Sequence, residues 1–149
     1  MNHKPQTETT ISGVAEAALY VADLARAVAF YHEVLGLPIT MQFADAAFLQ
    51  TGAQSTLILF DREALRTRTS TIPGHGAEGP MHVALAIAPE QMAAWRARLQ
   101  AHGVAIEHEQ TWPAGTHSLY FRDPDGHSLE LIDGSHYPKL WMKIGTTSS

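Results

Sequence analysis

The chain of 149 residues contains no cysteine, which excludes disulfides, thiolate metal sites and a cysteine nucleophile together. It has no apolar run approaching the length of a membrane span. Its first ten residues, MNHKPQTETT, lack the apolar stretch of a secretory signal, so the expected location is cytoplasmic. Positive charge is scarce as well: 10 Lys and Arg against 15 Asp and Glu leave a net charge of −5. Nucleic acids and anionic membranes call for a basic surface, so neither is expected as a partner. With 45% apolar and 17% charged residues, the composition suits a soluble chain of one domain, or two small halves sharing one core.

The order of patterns repeats. VAEAALYVADL (14–24) alternates with period two and predicts a strand. Asp23 then caps a helix with Leu24, Ala27, Val28, Tyr31 and Leu35 on one side and Gly36 as its stop. PITMQFA, AAFLQTG and STLILFD read as three short strands. From residue 81 the same succession returns: MHVALAIA, a helix with Met92, Trp95 and Leu99 inward and Gly103 as its stop, then VAIEHEQTW, SLYFR and SLELI. The reading is α+β, βαβββ twice: a first module at 13–61, a linker or flap at 62–80, a second module at 81–133 and a tail at 134–149. In that tail Tyr137 and Trp141 are expected to pack back on the body, because exposed aromatic pairs are unusual.

Superposing the halves places Glu16 opposite His82 and Ile58 opposite Glu130. Glu130 is the anomaly, a carboxylate between Leu129 and Leu131, where burial without a partner costs several kcal/mol. Alternation assigns Leu19, Val21, Val83, Leu85, Ile87, Leu129 and Leu131 to a face under the helices. The other face carries Glu16, Ala18, Tyr20, His82, Ala84, Ala86, Ser128 and Glu130, with Ser118 and Tyr120 one strand over. Such small and polar residues leave room for a cavity. Taken singly, Glu16 reads as a solvated edge residue, His82 as a satisfied core histidine and Glu130 as a partner for Arg122. Taken jointly they read as ligands of a divalent cation, which would offset the desolvation of both carboxylates.

LYVADLARAVAFYHEVLGL and YFRDPDGHSLELI closely resemble the vicinal oxygen chelate superfamily, which includes glyoxalases, bleomycin-resistance proteins and extradiol dioxygenases, over about residues 13–133. The resemblance implies paired βαβββ modules forming a cup-shaped, eight-stranded mixed sheet, with helices on the outer face. It implies metal ligands at Glu16, His82 and Glu130, the fourth family position being Ile58, which cannot coordinate. Tyr120 to Glu130 follow Y-x-x-x-P-x-G-x-x-x-E, similar to the dioxygenases, but His117 stands only two residues before Leu119, too near for that signature. Glu16 also replaces a dioxygenase histidine. The expected function is metal-dependent proton transfer of isomerase or lyase type on a small substrate that chelates through neighbouring oxygens, with Tyr120 and Glu130 catalytic. The alternatives are an extradiol dioxygenase and a non-catalytic, drug-sequestering protein. The substrate pocket is expected to draw on Tyr20, Phe48, Ile58, Trp112, His117, Ser128 and Trp141. Without sulfur, the site favours Mn, Fe(II), Zn or Ni over copper. The resemblance further implies a homodimer with sites built from facing modules.

Overall fold

A computed structural model describes residues 9, 11, 13–113 and 115–133. The tail, with Tyr137 and Trp141, lies outside the described residues. The first alternating stretch forms β1 (Glu16–Val21), and the Asp23 side chain caps α1 (Leu24–Ala29) by accepting from the Arg26 amide at 3.0 Å. The helix continues as a π-helical turn, Phe30–Val34. Gly36 follows with φ 70°, a left-handed conformation that costs glycine little and ends the helix. The chain then makes β2 (Ile39–Gln42), β3 (Ala46–Gly52) and β4 (Ser55–Asp61). The second unit repeats this as β5 (His82–Ile87), α3 (Met92–Ala101), β6 (His108–Thr111), β7 (His117–Arg122) and β8 (Ser128–Asp133), with Gly103 again at φ 70° after the helix.

The eight strands form two four-stranded mixed sheets, ordered β1-β4-β3-β2 and β5-β8-β7-β6. In each, the first and last strands of the unit pair in parallel and the remaining pairs are antiparallel. Their registers agree: Ala18 faces Ile58 in one sheet as Ala84 faces Glu130 in the other. The repeat alignment therefore holds residue for residue at the strands that matter.

One apolar core unites both units. Leu19, Val21, Leu57 and Leu59 from the first sheet join Leu119, Phe121, Leu129 and Leu131 from the second, with Leu24, Val28 and Leu99 from the helices. The turn between β7 and β8 locks the units together. The Ala22 amide donates to Asp125 Oδ1 at 2.8 Å, and the Tyr31 hydroxyl donates to Asp123 Oδ2 at 2.8 Å. Buried His127 lies between Met81 and Tyr20: its Nδ1 accepts from the Met81 amide, so Nε2 carries the proton and donates to the Tyr20 carbonyl, each at 3.0 Å. Burial and the neighbouring Asp123 carboxylate push the Tyr31 phenol far above its ordinary range.

Within the linker segment Asp61 caps a short helix, α2 (Arg62–Thr67), accepting from the Ala64 amide at 2.9 Å. Two expectations need correction. The strand expected from residue 104 begins only at His108, and the cavity face of the first sheet is not mainly small and polar. Ala46, Ile58 and Phe60 make a second apolar cluster there with Ala18, Tyr20, Phe48 and Leu65 of α2.

Candidate metal centre

Strand alternation turns Glu130 onto the face away from the helices, where β5 is its parallel neighbour. Its side chain is only 5% exposed, and His82 Nε2 lies 3.3 Å from its Oε2. The other carboxylate oxygen, Oε1, accepts from the Ser118 hydroxyl at 2.6 Å, and Ser118 in turn accepts from Trp112 Nε1 at 2.9 Å. His82 is fixed from behind: Nδ1 lies 3.0 Å from the Ser128 carbonyl oxygen. A carbonyl can only accept, so Nδ1 carries a proton there and Nε2 is the ring nitrogen left facing Glu130. The Tyr120 ring stacks on His82, with centroids 6.4 Å apart and planes at 23°.

The contact is satisfied by a proton on Nε2, or by a metal cation that takes Nε2 and Oε2 together as ligands. Ligand atoms about 2.1 Å from one cation, at angles between a right angle and the tetrahedral value, stand roughly 3.0–3.4 Å apart. The observed 3.3 Å fits that spacing. The serine and carbonyl contacts also supply the outer partners that orient metal-binding carboxylates and imidazoles. His82 and Glu130 thus make a fitting two-donor arrangement for a divalent metal. The lone reading of Glu130 fails, because Arg122 is engaged with Glu107 at 2.7 Å and Glu130 pairs with His82 instead, whereas Glu16 is exposed on the edge strand β1 as its lone reading has it.

Glu16 does not join them. It lines a separate cavity of about 310 Å³ over the first sheet, with Phe43, Phe48, Ile58 and Phe60 among its walls. Among the described residues no three His, Asp or Glu side chains gather as a metal site within one chain. The expected pocket divides in the same way. Tyr20, Phe48 and Ile58 belong to the first sheet's cluster, while Trp112, Ser128 and Tyr120 surround the His82–Glu130 pair.

His117 belongs to neither. It alternates with Ser118 and Tyr120, so it shares the face of Leu119 and Phe121, against the helices. There its Nδ1 lies 3.1 Å from Asp133 Oδ2, and its amide donates to Asp133 Oδ1. The alternation that identified Glu130 would have excluded His117 as well. Ser118, which fixes Glu130, and the Ser128 carbonyl, which fixes His82, were on the right face but carried no sequence signal for those roles.

Paired βαβββ units with a His–Glu donor pair on the inner face define the class. The chain belongs to the Glyoxalase/Bleomycin resistance protein/Dioxygenase superfamily, whose family model matches residues 13–131. It is 34% identical over 122 residues to the glutathione transferase FosA of Serratia marcescens, covering 82% of this chain and 81% of that protein. It is 30% identical over 142 residues to the metallothiol transferase FosB of Shouchella clausii, covering 87% and 89%. The crystal structure of a lactoylglutathione lyase from Agrobacterium tumefaciens superposes with a TM-score of 0.79 at 34% identity, covering 85% of this chain and 96% of that one.

Proposed function

We propose that this protein is a divalent-metal-dependent enzyme acting on a small molecule that chelates through two neighbouring oxygens. The observation that carries the reading is the 3.3 Å approach of His82 Nε2 to Glu130 Oε2, each side chain held from behind by a hydrogen bond. Membership of a superfamily whose members use divalent metals supports it. A bound cation would act as a Lewis acid on a substrate oxygen and stabilise negative charge developing beside it.

The chain's own residues have separate tasks. Ser118 holds one oxygen of Glu130 and leaves the other as the donor. The Ser128 carbonyl holds Nδ1 of His82 and so aims Nε2 at Glu130. Tyr120, stacked on His82, is the residue assigned to moving a substrate proton, in isomerase or lyase chemistry. Glu16 supplies the third ligand from a facing module of a second copy, since within one chain it lines a different cavity.

A second reading is favoured by the relatives named as glutathione and metallothiol transferases. There, an external thiol would form a carbon–sulfur bond to the substrate as a carbon–oxygen bond opens, the released oxygen taking the proton the thiol gives up. The absence of cysteine is compatible with it, because the thiol would come from the co-substrate. Metal analysis tests what both readings share. The purified protein should hold one divalent metal per site, and His82→Ala and Glu130→Ala should each abolish stoichiometric binding. Full occupancy in both variants would overturn the site. Solvent-deuterium exchange into the substrate marks proton transfer, loss of free thiol marks thiol transfer, and oxygen uptake would point to a dioxygenase.

A further inference from the structure

The segment between the modules folds back over the inner face of the first sheet. Leu65 of α2 packs on Ile58 and Phe60. Further along, His75 Nδ1 meets the Tyr20 hydroxyl at 2.6 Å, and the His75 ring stands edge-on to Phe60 with centroids 5.0 Å apart. Between this strap and the sheet lies the cavity of about 310 Å³ that Glu16 lines. Its strap side is Ser70, Ile72, Pro73, Gly74 and His75. Opposite it stand Phe43 and Phe48, which meet edge to face at 6.0 Å, and Phe60, with Asp45 and Arg68 as the polar part of the wall.

We propose that this cavity is a subsite for a single aromatic ring carried by the substrate, covered by the strap and latched through Tyr20 and His75. Ring edges and faces already arranged at right angles favour a planar aromatic guest over an aliphatic one. The volume equals that of roughly ten waters, enough for a substituted benzene ring and at the low end of small-molecule sites. Glu16 in the wall ties the subsite to the metal: a ring held here places its substituent at a ligand of the proposed centre. That last link rests on the proposed function; the ring site itself does not.

Benzohydroxamate and acetohydroxamate test the proposal, because both present the same pair of neighbouring oxygens and only one carries a ring. On metal-free protein, benzohydroxamate should shift the amide resonances of Phe48, Ile58 and residues 70–76, and acetohydroxamate should not. On metal-loaded protein, calorimetry should give benzohydroxamate at least tenfold tighter binding. Phe43→Ala, at an exposed position where folding is not at risk, should reduce that preference several-fold, and His75→Ala should weaken benzohydroxamate alone. No resonance shifts, or equal affinities for the two probes, would overturn the ring subsite. If neither probe's affinity depends on metal while the ring-specific shifts persist, the subsite stands and the metal-dependent function falls.

Discussion

Ser118 does for Glu130 what the Ser128 carbonyl does for His82: each leaves one donor atom pointing outward. Ser118→Ala should free Oε1 and let the carboxylate turn, lowering metal affinity roughly 10- to 100-fold with little change in fold, as measured by titration of metal-free protein. Tyr31 makes a different kind of buried contact, since its hydroxyl satisfies Asp123 at the junction of the units. Tyr31→Phe should cost about 1.5–3 kcal/mol in denaturant unfolding, because the buried carboxylate loses a donor. The phenol also sets an alkaline limit. Its folded value is raised above the ordinary 10.0, so the stabilisation is complete below that pH and drains away as pH rises above it. Phenylalanine at this place should flatten the part of the alkaline stability loss that Tyr31 contributes.

At the scale of elements, the turn from Asp123 to His127 ties β1, the helix after it and the start of β5 together. Asp123 Oδ1 accepts from the amides of Asp125 and His127, while His127 bridges Met81 to Tyr20. His127→Ala should leave a partly buried donor, the Met81 amide, and a partly buried acceptor, the Tyr20 carbonyl, unpaired, and destabilise by about 2–4 kcal/mol, read from the urea midpoint at unchanged slope. The sequence marked this turn by its Asp-Pro-Asp-Gly run, but its docking onto β1 and α1 has no local signature. Helix α1 was legible because cap, apolar spacing and terminal glycine agree. Helix α2 was not, although Asp61 caps it as Asp23 caps α1, because only six residues follow and they show little periodicity.

At the scale of the molecule, the proposed ligands divide between two inner faces: Glu16 on one, His82 and Glu130 on the other. If facing modules of two copies complete the site, mixed refolding of Glu16→Ala with Glu130→Ala should restore metal binding at one site per heterodimer. Each variant alone should stay defective. A dimer in which mixing restores nothing would mean that each chain completes its own site, and a monomer in sedimentation at micromolar concentration would remove the shared-site proposal.

Periodicity determined the two βαβββ units and the alternation of faces along each strand, because alternation and helical spacing are local properties of the chain. It therefore set Glu130 inward and made its carboxylate an anomaly in need of a partner. Which partner it found was decided by tertiary structure. The parallel pairing of β5 with β8 brings His82 to 3.3 Å, and the alternation of β7 sends Ser118 to the same face while turning His117 to the other. The strap over Phe48 and Phe60 was equally out of reach. Its hold depends on Leu65 meeting Ile58 and on His75 meeting Tyr20, contacts between segments that no short-range pattern relates.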